Sequence, residues 1–74
     1  MILQVVIETN RNSSLEKYLQ ELSKKIRFIK VTNNNFIKII FNIISNDLET
    51  YQEIDMFTSK FDENILSLKK KKFV

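Results

Sequence analysis

Ile2-Leu3-Gln4-Val5-Val6-Ile7-Glu8 runs into Thr9-Asn10-Arg11-Asn12-Ser13-Ser14 and then into Leu15-Glu16-Lys17-Tyr18-Leu19-Gln20-Glu21-Leu22. Leu3, Val5 and Ile7 alternate with Gln4, Val6 and Glu8, the period of a strand with one buried face. Thr9 to Ser14 is polar. Leu15, Tyr18, Leu19 and Leu22 then recur at helical spacing. The polar run therefore lies where a strand hands over to a helix N-terminus, and there backbone N–H groups are free to take an anionic group. Ser13 with Glu16 three residues on reads as a capping box. The Ser hydroxyl accepts the N3 amide and the Glu reaches back to the N-cap amide.

Downstream, the first helix is expected to end near Lys24 and Lys25, whose charges suit its negative end. Ile26 to Thr32 predicts a second strand, with Ile26, Phe28, Ile29 and Val31. Thr32-Asn33-Asn34-Asn35 is a turn in which Asn tolerates positive φ where no Gly is available. Phe36 to Ile44 is the third strand and the most apolar segment, a composition that suits the centre of a sheet and is hazardous at its edge. Asn46 with Glu49 forms a second capping box and opens a second helix. Leu48, Tyr51, Ile54, Phe57 (or Thr58) and Phe61 give its stripe, and Glu49 and Glu53 are placed on its solvent side. Asp62-Glu63-Asn64 breaks it. Ile65, Leu66 and Leu68 suggest a short last strand. The expected organisation is one domain over 1–68 and a basic C-terminal tail over 69–74.

The order β-α-β-β-α-β, with both helices crossing over between strands, predicts an α+β, ferredoxin-like sandwich: an antiparallel sheet with two helices on one face. The inner side would hold Leu3, Val5 and Ile7, Ile29 and Val31, Ile37, Ile39, Phe41 and Ile43. The other face would show Val6, Phe28, Phe36 and Ile40 among Gln4, Glu8, Lys30 and Lys38. That is too apolar for an idle surface and marks these four as a candidate interface with a partner or a second copy.

Composition narrows the chemistry. The 74 residues contain no Cys and no His. A disulfide framework, a thiolate site, a cysteine nucleophile and histidine acid–base chemistry are therefore excluded. Gly and Pro are absent, so no Gly-rich phosphate loop exists. Ile, Lys, Asn and Phe fill 35 of the 74 positions, which points to AT-biased coding, so a missing motif glycine can reflect drift. Ser13 and Ser14 have no base to activate them. Asp62 and Glu63 alone are a weak metal signal. We expect no catalytic residues, no metal and no cofactor. The net charge of +3 rests on Lys69 to Lys72, read as a solvated tail. The first strand lacks an aromatic, and Lys38 stands where an RNA-reading sheet of this topology wants a ring, so no nucleic acid is expected. No apolar run approaches the ~20 residues of a membrane span. No basic leader precedes the first strand. The default expectation is a cytoplasmic protein without a membrane partner.

The layout resembles the ACT domains of acetolactate synthase small subunits, in their short one-domain form, over about Leu3 to Leu68. Asn10-Arg11-Asn12-Ser13-Ser14-Leu15 matches the family's N-x-P-G-V-L loop at Asn10 and Leu15. Arg11-Asn12-Ser13-Ser14-Leu15-Glu16-Lys17 compares with the short form's N-P-E-T-L-E-R. Ile26-Arg27-Phe28 stands where the family has R-G-F, and Ser45 stands at the small polar residue before the second helix. Thr58-Ser59-Lys60-Phe61-Asp62 with Ile65 follows its Q-L-x-K-L-x-D-V ending loosely.

The resemblance implies a non-catalytic regulatory subunit in branched-chain amino-acid biosynthesis, partnered by the large catalytic subunit. It also implies side-by-side pairing into a homodimer and a valine- or isoleucine-type effector near the first loop. Asn10, Ser13, Ser14 and Leu15 are then the effector-binding candidates. Ser13 stands at the family's glycine and adds a side chain where the effector would approach the backbone. Activation of the large subunit is thus a firmer implication than effector binding. Two other readings are a stand-alone ACT-like amino-acid sensor and a small antitoxin-like adaptor that uses its open sheet face.

Overall fold

The computed structural model describes residues 2–73. The elements run β1 (Ile2–Asn10), α1 (Ser13–Leu22), β2 (Ile29–Thr32), β3 (Phe36–Ile44), α2 (Leu48–Lys60), a 3-10 turn (Asp62–Asn64) and β4 (Ile65–Phe73). The four strands form one sheet in the order β2-β3-β1-β4, and every neighbouring pair is antiparallel. The two most apolar strands hold the centre, where both their edges are hydrogen-bonded.

Alternation assigns the faces. Val5, Ile7 and Thr9 of β1 and Ile37, Ile39, Phe41 and Ile43 of β3 are buried, and Leu3 packs against them. Leu15, Leu19 and Leu22 of α1 and Ile54 and Phe57 of α2 join the same cluster, with Ile26 and Phe61. Both helices therefore cover one side of the sheet. Tyr18 links them: its ring centroid lies 5.9 Å from Phe57 and 5.3 Å from Phe61. The stripe of α2 runs through Thr50, Ile54 and Phe57, while Leu48 and Tyr51, expected in it, are exposed. Glu53, expected in solvent, is buried, and its carboxylate lies 3.8 Å from the Lys25 ammonium.

Three other details depart from the sequence reading. First, both helices are capped one residue away from the expected position. Asn12, not Ser13, is the N-cap of α1, and Asp47, not Asn46, is that of α2. Asn46 instead takes φ 76° in the turn before α2, a conformation that Asn reaches at less cost than other side chains.

Second, the inner and outer sides of the second strand are exchanged. Ile29 pairs with Ile40 and Val31 with Lys38, so both point away from the helices. Ile26 is buried and the Phe28 ring lies 5.5 Å from that of Phe41, so Phe28 faces the core and not the open face. A one-residue change of register sends every side chain to the other face. The tight link fixes that register, because Asn33 N–H donates to the Phe36 carbonyl and leaves only Asn34 and Asn35 in the loop.

Third, Lys69 to Lys72 are not a tail. They continue β4, paired from Val6↔Lys69 to Leu3↔Lys72 along β1. The register slips between Glu8 and Thr9, leaving Leu66 as an extra, exposed residue in a bulge. Met1 and Val74, the ends of the two expected ranges, lie outside the described residues.

Candidate functional site

The loop between β1 and α1 is closed by its own side chains. The Asn12 side-chain oxygen accepts the Ser14 N–H at 2.8 Å and the Leu15 N–H at 3.2 Å. Arg11 donates to the Glu16 carboxylate at 2.8 Å and to the Asn33 carbonyl at 3.2 Å, tying the loop to the β2–β3 turn. Of the effector candidates, Asn10 is exposed at the end of β1 and Ser13 and Ser14 are exposed on the first turn of α1. Leu15 is fully buried in the core, where it holds the helix down. Two of the amides that would take a carboxylate, those of Ser14 and Leu15, already have a partner.

The uncovered face of the sheet is different in kind. Cross-strand pairing arranges it in rows. Ile29, Ile40, Val6 and Lys69 form one row. Val31, Lys38, Glu8 and Ser67 form the next row toward the β2–β3 turn. On the other side lie Asn42, Gln4 and Lys71, and then Ile44, Ile2 and Phe73. The Gln4 amide donates to the Asn42 side-chain oxygen at 3.1 Å, and the Lys71 ammonium lies 5.2 Å from the Phe73 ring centroid. Ile29, Val31 and Ile44 are each more than half exposed, and Ile2 and Phe73 are exposed too.

The face thus has two unlike margins. Beside β2 is an open groove of about 490 Å³, lined by Ile26, Phe28, Ile29, Ile40 and Asn42 together with Ser23 and Arg27. Along β4 a second concavity of about 390 Å³ lies among Lys38, Lys69, Lys70 and Lys71 with Gln4, Val6, Glu8 and Ser67. The first is mainly apolar with Arg27 at its wall, and the second is rich in lysine with Glu8 among them.

Val6, Phe36 and Ile40 of the expected interface share this face, and Phe28 contributes only to the wall of the apolar groove. The sequence reading missed Ile29, Val31, Lys69 and Lys71. The signal was present for the first two: a two-residue loop at Asn34-Asn35 forces Ile29 opposite Ile40. For the lysines, only the length of β1 hinted that a partner strand must continue past Leu68.

Among the described residues two titratable groups are perturbed, and both lie in the helix layer. Burial, and then the negative charge of Glu53, push the Tyr18 phenol above its usual range. The Thr50 hydroxyl and N–H, both donating to Asp47, hold its carboxyl below the usual range. Among the described residues no group of three or more His, Cys, Asp or Glu is placed to hold a metal, and no helix is long and apolar enough to cross a membrane. No family model, no curated protein and no solved structure matches the chain.

Proposed function

We propose that this chain is a non-catalytic, protein-binding regulatory domain of the ferredoxin-like plan that works through the uncovered face of its sheet. The strand order β2-β3-β1-β4 with antiparallel neighbours and two helices on one side supports the plan. The observation that carries the function is the exposure on that face of two apolar groups, Ile29 and Val31 on β2 and, beyond Asn42, Gln4 and Lys71, the row of Ile44, Ile2 and Phe73. Apolar patches of this kind mark interaction surfaces in small domains.

Within this reading the first partner to try is the large catalytic subunit of an acetolactate synthase, on the strength of the resemblance to its small subunits. Asn12 occupies the Ser14 and Leu15 amides in the first turn of α1, which weighs against both an amino-acid effector and a stand-alone sensor. The proposed role is therefore activation or stabilisation of the large subunit. Co-expression with that subunit is expected to give a complex and a gain in acetolactate formation. The double variant Ile29→Thr/Ile40→Thr, which keeps β-branched residues in both strands, is expected to abolish the complex. Absence of both complex and gain with the unaltered chain refutes the synthase assignment.

A further inference from the structure

Charge is segregated between the two layers of the molecule. Of the 12 basic and nine acidic side chains, the strands carry six lysines (Lys30, Lys38 and Lys69 to Lys72) and a single carboxylate, Glu8. The helices and connections carry the remaining six basic groups and eight carboxylates. On the uncovered face itself Lys38, Lys69 and Lys71 stand against Glu8. Lys69 ends the row of Ile29, Ile40 and Val6 on β4, Lys71 stands in the next row of the same strand, and Lys38 and Glu8 face each other across β3 and β1.

We infer that the uncovered face binds an amphipathic helix of a partner protein whose apolar stripe is flanked on one side by carboxylates. This rests on the reading of the chain as a protein-binding domain and names the chemistry of what it binds. The apolar groove beside β2, walled by Phe28, Ile29 and Ile40, takes the larger apolar anchors. Lys69 and Lys71 project from the same face of β4 two residues apart, roughly 6.7 Å at the strand's rise. The Cβ atoms of residues at i and i+4 of a helix are about 5–6 Å apart, so one pair of acidic side chains at that spacing can meet both lysines. β1 and β3 are nine residues long each, roughly 30 Å, which seats about five helical turns.

The other occupants fit less well. Bases of a single-stranded nucleic acid stack on aromatic rings, but the centre of this face is Ile29, Ile40 and Val6, and Phe36 and Phe73 lie at opposite ends of it. A second copy laid face to face brings the same lysine-rich surface against itself and pays like-charge repulsion.

The test uses the full chain, isotope-labelled, and two designed helical peptides of about 18 residues. Both carry one leucine stripe; one is flanked by Glu and the other by Lys. Single-stranded oligothymidine and anionic phospholipid vesicles are titrated in parallel, and self-association is followed by sedimentation. The Glu-flanked peptide is expected to bind at least about tenfold more tightly than its Lys counterpart. Shift changes should centre on Val6, Ile29, Ile40, Lys69 and Lys71. In Lys69→Glu/Lys71→Glu the preference between the peptides should reverse, a readout that mere loss of folding cannot produce.

Equal binding of the two peptides, shift changes confined to α1 and α2, or preferential binding of oligothymidine, vesicles or a second copy on this face would each overturn the inference. The synthase assignment fails separately. If the Glu-flanked peptide binds and the large subunit does not, the inference stands and that partner is wrong. If the large subunit binds through Ile29 and Ile40 and the Glu-flanked peptide shows no preference, the reverse holds.

Discussion

At the scale of single residues, three polar side chains decide more than their size suggests. Asn12 holds the two N–H groups that open α1. Asn12→Ala should cost about 1 kcal/mol in urea unfolding, the usual value of a side-chain N-cap, whereas Ser13→Ala should cost little because Ser13 accepts neither amide. A larger loss at Ser13 would restore the cap to the position its sequence pattern suggested. Asp47 caps α2 as a carboxylate held below its usual range by Thr50. Its contribution is thus full above the unfolded carboxyl value and is lost as pH falls through the lower folded value. Asp47→Asn should therefore flatten the acid limb of the stability profile below about pH 4 while leaving the neutral region nearly parallel to the wild type.

Tyr18 works at the other end of the scale. Its raised phenol keeps stability intact below the unfolded tyrosine value and loses it as pH rises beyond. Thr9 is the third polar case: its hydroxyl is fully buried beside the β-bulge with no hydrogen-bond partner among the described residues. Thr9→Val removes the orphan group at nearly constant shape and should raise stability by about 1 kcal/mol. A fall in stability instead would mean that the hydroxyl is satisfied by a water.

At the scale of elements, the two ends of the sheet are guarded differently. β2 is an edge of only four residues, and shortness limits what can pair with it. β4 is a long edge, and its outer half is Lys69 to Lys72. A lysine row on an edge strand discourages pairing with another chain, so the same charges that line the uncovered face also protect its border. Replacing Lys70 and Lys72, which project to the helix side opposite Val5 and Leu3, by Val should yield higher oligomers in size-exclusion chromatography without unfolding the monomer. Truncation after Leu68 tests the strand itself. Loss of a tail would leave the melting temperature unchanged, whereas loss of half of β4 unpairs β1 from Ile2 to Val6 on that side and should lower it by several degrees.

This is also where the sequence was least legible. β1, β3 and α1 could be read because each carries a long run of one period with one buried side. β2 could not, because at a four-residue edge neither face is fully covered and Ile29, Val31 and Phe28 look alike by composition. β4 was read short because four consecutive lysines carry no alternation. Only the pairing partner, the exposed flank of β1, makes them a strand.

At the scale of the whole molecule, a single core must hold 74 residues. The accessible surface is 5307 Å², while a monomer of 8.9 kDa is expected to expose about 4,800 Å². The chain thus exposes about 500 Å² more than that average. Stability and binding should then be linked. A domain of this size holds roughly 4–11 kcal/mol, and Leu19→Ala, which opens a cavity between α1 and the sheet, should cost about 2–5 kcal/mol. A ligand that binds only the folded chain adds about 2.7 kcal/mol at one hundred times its dissociation constant. The Glu-flanked peptide at that concentration should therefore shift the urea midpoint of Leu19→Ala back toward the wild-type value, and the unaltered chain upward by the same free energy. The Lys-flanked peptide at equal concentration should recover much less. If both peptides shift the midpoint alike, the stabilisation comes from apolar burial alone and the lysines of β4 serve only to guard the edge.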